Sequence, residues 1–464
     1  MIKENVLNRN RKCTDFTLID FRKYAENGFL TDEGITYYQD KMMMENNHNL
    51  LFGEKGDVPV GLCEDRDIVG RSLNNLVIGG SETTASYLFP NLFSIRSSAV
   101  IAGTSVDYDK YIHLFEDNGI KVKVFDFSDV KARFDPFRHF IKREKKDASG
   151  EIDKKFLSEQ AAAIGRKFAY CFCKTEDKTL EAAYRELAER IFSYIAVSPD
   201  LKDEERRSSK VFEVVFNAVS KKDMSVFEEY KKTDCLEQLS AVQLSDVLNT
   251  FIQAATLFLA KAFSEKDDTD NISIEEIVND KTYLFLDVKT NENLLSFMVS
   301  VLSEFLYNYA ETDLAHPKRI YQFLPNPVQF YLDLSYYDIP DFLYYITTCA
   351  PYGIGYSIIT SRVDVIERIY EAKAETIYSY MDSLVIYKIS DLYGLASEMF
   401  FRWFIPFKET DPEKNPEFKN WTALSKKALD DNKVLVRIRD VPCIICDRLK
   451  LKDFIEETMP EEVS

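Results

Sequence analysis

Glycine and proline are scarce, 15 and 14 of 464 residues, which excludes a collagen-like chain and a Pro/Gly-rich disordered one. Histidine is scarcer: His48, His113, His139 and His316 stand apart, without the His-x-x-x-His or His-Glu spacing of metal ligands, and read as packing or surface residues. No Gly-x-Ser-x-Gly elbow occurs, so a serine-hydrolase reading has no support. No apolar run reaches the ~20 residues that a spanning helix needs. The most apolar long window, 342–359, is broken by Pro351, Gly353 and Gly355. The start, Met1-Ile-Lys-Glu-Asn-Val, carries no apolar signal core, so the expectation is a soluble protein without a secretory leader. Positive charge is in deficit, 59 Lys+Arg against 77 Asp+Glu for a net −18, which opposes non-specific binding of nucleic acid or anionic membrane by the bulk surface.

What is present is an ordinary globular balance, 45% hydrophobic and 29% charged, in a chain with room for about three domains. Eight cysteines (Cys13, Cys63, Cys171, Cys173, Cys235, Cys349, Cys443 and Cys446) are scattered like reduced, intracellular thiols and not like a disulfide framework. Cys443-x-x-Cys446 has the spacing of half a zinc site, but it lies in one apolar run with no second pair and reads, like Cys171 and Cys173, as buried structural thiol. The basic runs Lys142–Lys146 and Arg206-Arg207 read as solvated faces before they read as phosphate contacts. The aromatic group Phe330, Tyr331, Tyr336, Tyr337, Phe342, Tyr344 and Tyr345 divides between core packing and a candidate subunit interface. Asp267–Asp270 has too few spaced oxygens for a calcium loop.

Residues 1–70 form a polar, irregular N-terminal segment with one helix expected over 31–46, opened by the capping-type Thr31-Asp-Glu. From 71 to 144 strand and helix signals alternate. Asn75-Leu-Val-Ile-Gly-Gly is a buried strand entering a turn, Ala99-Val-Ile-Ala-Gly a second and Lys121-Val-Lys-Val-Phe-Asp-Phe a third, with a helix expected over 106–118. Residues 145–280 show no convincing strand; Leu180, Ala183, Tyr184, Leu187, Ile191 and Ile195 recur at helical spacing, and the segment reads as an all-α insertion domain. Strands return over 281–464, at Thr282-Tyr-Leu-Phe-Leu-Asp-Val, Val328-Gln-Phe-Tyr-Leu-Asp, Ser357-Ile-Ile-Thr and Ser383-Leu-Val-Ile-Tyr. A helix over 363–380 separates the last two, and Val434-Leu-Val-Arg-Ile with Cys443-Ile-Ile-Cys makes a closing hairpin. The fold class is α/β: one sheet with helices on both faces, interrupted by an all-α domain.

The turn after Ile78, Gly79-Gly80-Ser81-Glu82-Thr83-Thr84-Ala85-Ser86, sits where a phosphate loop would. Such a loop needs glycines for close backbone approach, a lysine for the β/γ-phosphates and a hydroxyl for magnesium. Gly79 and Ser86 keep that frame, but Thr84 stands for the second glycine and Ala85 for the lysine, so the segment alone also fits an ordinary strand-to-helix turn. The order of many short matches is more specific. Asn75-Leu-Val-Ile-Gly-Gly-Ser, Phe89-Pro-Asn-Leu, Asn118-Gly-Ile-Lys-Val-Lys-Val-Phe-Asp and Asp135-Pro-Phe are followed by Lys281-Thr-Tyr-Leu-Phe-Leu-Asp and by Asp333 with Asp338-Ile-Pro-Asp-Phe. Glu375-Thr-Ile, Met381-Asp-Ser and Asn432-Lys-Val-Leu-Val-Arg-Ile-Arg complete the series. Over roughly 70–450 the chain resembles the ATPase core of the TraG/TraD-like type IV secretion coupling proteins, the conjugative DNA-transfer motors. The resemblance implies a RecA-like P-loop NTPase-type sheet, an all-α domain that recognises substrate, an N-terminal membrane anchor and a hexameric ring.

The departures from that family fall on the chemistry. Ala85 replaces the phosphate-loop lysine, Gly103-Thr-Ser-Val-Asp107 stands where relatives carry Asp-Pro-Lys-Gly-Glu, Leu334 replaces the catalytic glutamate after Asp333, and Ser361 replaces the γ-phosphate-sensing glutamine. Each such loss removes charge stabilisation or water positioning on which phosphoryl transfer depends. No spanning segment matches the anchor. The expectation is therefore a catalytically degenerate coupling-protein homologue, a non-hydrolysing scaffold or adaptor for cargo or for an active paralogue. It has no catalytic residues, no metal site and at most weak ATP/Mg binding at Gly79, Gly80, Ser81, Glu82, Thr83, Thr84, Ala85, Ser86 and Asp333. The competing expectation is an ATP-dependent DNA or protein translocase with Ser86 and Asp333 on magnesium and an arginine from a neighbour. Expected partners are other secretion components, a relaxase or an active coupling ATPase, in a homo- or hetero-oligomer. Expected placement is cytoplasmic, at most peripheral at the inner face of the cell membrane through a partner.

Overall fold

The computed structural model describes residues 20–43, 49–56, 58–64, 72–103, 108–127, 131–145, 149–221, 224–264, 271–288, 291–312, 324–334, 337–362, 364–388, 411 and 413–458. The first strands among the described residues form two hairpins: β1 (Ala25–Glu26) with β2 (Phe29–Leu30), and β3 (Asn49–Lys55) with β4 (Val58–Cys63). The helix expected between them is present as Asp32–Met42, and the Thr31 hydroxyl accepts from the Gly34 N–H at 3.2 Å. The hairpins correct the irregular segment expected there. Gly53, Gly56, Gly61 and Pro59 dilute the strand signal, and Gly61 is needed because a Cβ would stand 2.0 Å from the Leu50 carbonyl oxygen across the pair.

The strands read from the apolar runs form one nine-stranded sheet: β5 (Asn75–Ile78), β6 (Ser98–Ala102), β7 (Lys121–Asp126), β8 (Thr282–Asp287), β9 (Val328–Asp333), β10 (Ile354–Thr360), β11 (Ser383–Ile386), β12 (Val434–Ile438) and β13 (Ile444–Cys446). Their order is β13-β12-β11-β5-β10-β9-β6-β8-β7. From β11 to β7 all pairings are parallel, and β12–β13 is the antiparallel hairpin at one edge. Parallel strands covered on both faces need continuous apolar runs, and β5, β6 and β10 are buried at every residue. A buried polar set pins the register of the middle strands: Tyr87 Oη lies 2.8 Å from Ser357 Oγ, Gln329 Nε2 donates to the same oxygen at 2.9 Å, and Ser383 Oγ donates to Asn75 Oδ1 at 2.5 Å.

Between β7 and β8 the principal elements are the helices Lys154–Phe172, Lys178–Val197, Ser209–Lys221 and Ala241–Ala255. Their core runs on into that of the sheet: Phe168 stacks on Phe258 at 5.0 Å, and Phe172 meets Phe297 of the Glu292–Glu311 helix at 5.6 Å. Asp135 ties the segment after β7 to these helices, accepting from the Phe137 N–H at 3.0 Å and the Ser208 hydroxyl at 2.6 Å.

Two expected helices are shorter than the sequence suggests. That over 106–118 is a 3₁₀ turn at Tyr108–Lys110 followed by Ile112–Asp117. That over 363–380 is split into Asp364–Tyr370 and Ala374–Ser379, with Glu371 between them at φ +48°. In the aromatic group Phe330, Tyr331, Tyr337, Phe342 and Tyr345 are core residues and Tyr344 is exposed, while Tyr336 lies outside the described residues, as do Cys13, His48, Lys146, Asp267–Asp270 and His316. Cys443 and Cys446 are buried, and burial pushes the Cys443 thiol up to about 12. Arg206 is spent on helix-end carbonyls, donating to Ile195 at 2.8 Å and Ser198 at 2.7 Å.

Candidate functional site

In the parallel sheet β10 lies between β5 and β9, so the chain leaves β5 toward β6 on one side and later crosses over it to β11 on the other. Such a reversal opens a crevice at the carboxyl ends of the strands, where α/β sheets bind ligands. Three sequence-nominated segments meet that edge. The 79–86 turn follows β5, Asp333 ends β9, and Ser361 follows β10. The Gly79 N–H donates to the Thr360 carbonyl at 3.0 Å, which extends the β5–β10 ladder into the turn.

The turn is tight. A Cβ on Gly79 would stand 2.5 Å from Thr83 Cγ2 and 3.0 Å from Tyr387 Cβ, so only glycine fits. Thr83 donates twice to the Gly80 carbonyl, from its N–H at 3.1 Å and its hydroxyl at 2.7 Å, which turns a loop hydroxyl inward onto the backbone. Beyond it, Thr84–Leu88 are wound as a π-helical turn that runs into the Phe89–Ser94 helix. Pro90 supplies the cause: without an N–H it cannot satisfy the Ser86 carbonyl four residues back, and its ring crowds that position. The Tyr387 hydroxyl, at the end of β11, takes over and donates to the Ser86 oxygen at 2.7 Å.

The positions that the resemblance links to phosphoryl transfer differ in exposure. Ala85 is exposed and Ser86 half-buried. Leu334, next to Asp333, is fully buried in the core, and its N–H donates to the Ile359 carbonyl at 3.0 Å. Ser361 is exposed, and the neighbouring Arg362 is engaged by Asp364 through two contacts of 2.8 and 2.9 Å. Asp333 is half-buried, and its carbonyl is closely approached by Gly103, whose φ of +88° and the 2.9 Å left for a Cβ admit no side chain.

Two more residues lie at the same edge, Tyr337, read from the sequence only as a core or interface aromatic, and Arg448, which the sequence did not single out. Tyr337 packs its hydroxyl beside Gly103, buried and without a hydrogen-bond partner among the described residues, and burial with the nearby Asp333 charge keeps it a phenol. Arg448 donates from Nη2 to the Tyr387 carbonyl at 2.6 Å. The signals for a role at this edge were weak: Tyr337 stands in an aromatic-rich stretch that reads as core or interface, and Arg448 is a single arginine beyond the last strand.

A magnesium-bound triphosphate fits these residues poorly. Asp333 and Ser86 offer oxygens for a cation, but Ala85 supplies no charge. The Glu82 carboxylate is folded against the glycine pair, with Oε2 2.8 Å from where a Gly80 Cβ would stand and Oε1 buried without a partner among the described residues. A carboxylate at that place repels phosphate. No step of phosphoryl transfer is assigned to these side chains.

A mostly parallel sheet with this strand order and a glycine turn at its switch point define a RecA-like P-loop NTPase fold. Solved structures agree. The unbound form of the bacterial conjugative coupling protein TrwB, lacking its first 70 residues, superposes with a TM-score of 0.54 at 13% identity over 89% of this chain and 91% of that one. TrwB in complex with ADP and Mg2+ gives 0.57 at 13% identity over 89% and 91%. VirB4 of Thermoanaerobacter pseudethanolicus gives 0.50 at 11% identity over 89% and 99%. The family described as type IV secretory system conjugative DNA transfer matches residues 37–396, and the chain belongs to it. No curated protein sequence matches the chain. Among the described residues no helix is long and apolar enough to cross a membrane.

Proposed function

We propose that this chain is a non-hydrolysing member of the conjugative coupling-protein family, an adaptor or scaffold for cargo or for an active coupling ATPase. In this reading the described parts of 71–144 and 281–464 make the RecA-like frame and 145–280 is an all-α insertion domain that presents a partner-binding surface. The observation that carries it is Leu334: where the resemblance places a water-orienting glutamate, the side chain is apolar and fully buried. The exposed Ala85 and Ser361 and the inward-folded Glu82 support the same reading. TrwB has been solved with ADP and Mg2+, and Asp333 with the 79–86 turn leaves this chain at most weak nucleotide binding. The chain acts at the cytoplasmic side of a secretion apparatus, held there by its partners.

The test is phosphate release from Mg-ATP by the purified full chain, alone and with a co-encoded coupling ATPase, beside an affinity capture of that ATPase. The expected result is no turnover by the chain alone and stable capture of the partner. Turnover abolished by Asp333→Ala overturns the reading in favour of an ATP-driven translocase with non-standard residues.

A further inference from the structure

Asp333 is followed within a few residues by a short strap, 337–341, that leads from the crevice to the Phe342–Thr348 helix. The strap is gripped by one face of the Lys154–Phe172 helix and its C-terminal extension. Lys167, only 1% exposed, places its ammonium 2.8 Å from Asp341 and 3.1 Å from Glu304 of the Glu292–Glu311 helix. Tyr345 donates its hydroxyl to the same Glu304 carboxylate at 2.5 Å. One turn further on, the Tyr170 hydroxyl donates to the Asp338 carboxylate, and Lys174 follows 3.6 Å from it. The Ser296 hydroxyl donates to the Asp338 carbonyl, and the Ile339 N–H donates to the Tyr370 hydroxyl at 3.1 Å. Donors at 167, 170 and 174 thus meet carboxylates three residues apart on the strap.

Two features separate this contact from ordinary packing. Apolar side chains of similar volume would serve an interface at least as well as a buried lysine, so what the ionic set adds here is a group of position-specific contacts. Asp341 holds a left-handed backbone at φ +59°, which aspartate enters more readily than most residues with a side chain and which its contacts here keep in place. At its other end the strap begins with Tyr337, whose hydroxyl and the Asp333 carbonyl both lie against Gly103. Displacement at Gly103 therefore reaches the strap through Tyr337, and a shift of the strap by one position breaks the Lys167 and Tyr170 contacts together.

We propose that the strap is a lever coupling the state of the Asp333 edge to the helical insertion, so that the insertion reports what happens in the crevice and a partner on the insertion acts back on it. Reciprocity follows from linkage. The inference rests on the reading of the Asp333 edge as the functional one, and it gives the insertion a signalling role in the adaptor.

The test is hydrogen–deuterium exchange with mass spectrometry on the full chain in four forms: native, Gly103→Ala, Lys167→Met and the double variant. Gly103→Ala drives a methyl group against the Asp333 carbonyl and the Tyr337 hydroxyl. It is expected to speed exchange in the Lys154–Phe172 helix by about fivefold or more, and that response is expected to vanish in the Lys167→Met background. If Gly103→Ala does not fold, Asp333→Asn perturbs the same edge. If Lys167→Met does not fold, Tyr170→Phe with Lys174→Met removes the Asp338 half of the grip. An unchanged helix in the edge variant, or an undiminished response when the grip is removed, overturns the proposal. Neither arm uses nucleotide, so failure here leaves the adaptor reading standing, and ATP turnover would overturn that reading without touching this result.

Discussion

At Ser86 a single carbonyl shows how one residue choice is offset by another far along the chain. Pro90 removes the N–H that would satisfy it, and Tyr387, 301 residues beyond Ser86, donates instead at 2.7 Å. Tyr387→Phe is expected to cost about 1 kcal/mol by stranding that part-buried oxygen. Pro90→Ala restores the missing N–H, so the second change is expected to be milder in the Tyr387→Phe background than alone, a coupling that urea melts of the two single variants and the double will show. Lys167 supports a second expectation, this one with a pH sign. Burial alone would raise Glu304 and Asp341, but the Lys167 ammonium, together with the Tyr345 and Asn308 hydrogen bonds to Glu304 and the Arg166 and Arg185 charges near Asp341, outweighs it and holds both carboxylates below their usual range. Their contribution is therefore complete above the unfolded carboxylate range and is lost as pH falls through the folded values. In Lys167→Met the burial remains and the ammonium is gone, so the same carboxylates rise and the variant becomes relatively more stable in acid. The expected loss is about 3–5 kcal/mol at pH 7. Urea melts from pH 7 down to pH 3.5 should show the gap to the native chain narrowing; a gap that widens refutes this assignment.

At the scale of elements, what was legible in the sequence is what is locally periodic. The apolar runs at 75–78, 98–102, 282–287 and 328–333 are strands because a parallel sheet covered on both faces asks for no alternation. The β3–β4 hairpin was not legible, since three glycines and Pro59 break its pattern and its place is set from afar, by Asn91, which accepts from the Leu51 N–H at 2.7 Å. The glycine turn and Asp333 were legible as an edge, but the grip of Lys167 on Asp341 spans 174 residues and no local signal carries it. Gly165 marks another contact of this kind. In the Lys154–Phe172 helix an alanine would gain up to ~1 kcal/mol of intrinsic propensity, yet a Cβ there would stand 2.7 Å from the Ala188 carbonyl of the neighbouring helix. Gly165→Ala is therefore expected to lower stability by about 1–3 kcal/mol, as overpacking does. A chemical melt decides between the two signs, and a gain would mean that the helices part without cost.

For the molecule as a whole, the continuity of the core decides what the insertion can do. In sequence it reads as an all-α domain inserted into the sheet. In space Phe168, Phe172 and Phe258 face Phe297, which belongs to the Glu292–Glu311 helix laid on the sheet. Lys167 is neutralised by Glu304 and Asp341 from outside the insertion, and Ser208 is tied to Asp135. An excised 149–264 fragment would expose those rings and leave Lys167 without its two carboxylates. It is expected to keep helical far-UV signal yet lack a cooperative melt and bind a hydrophobic dye, the behaviour of a chain that has lost specific packing. The full chain is expected to unfold its helices and sheet together, with far-UV and near-UV transitions superimposed. If the fragment instead melts cooperatively by itself, the shared core contributes little, and the insertion could move freely on the sheet. The rigid coupling of crevice to helices needs the opposite result: a partner bound to the insertion can influence Asp333 only if the two halves stand or fall together.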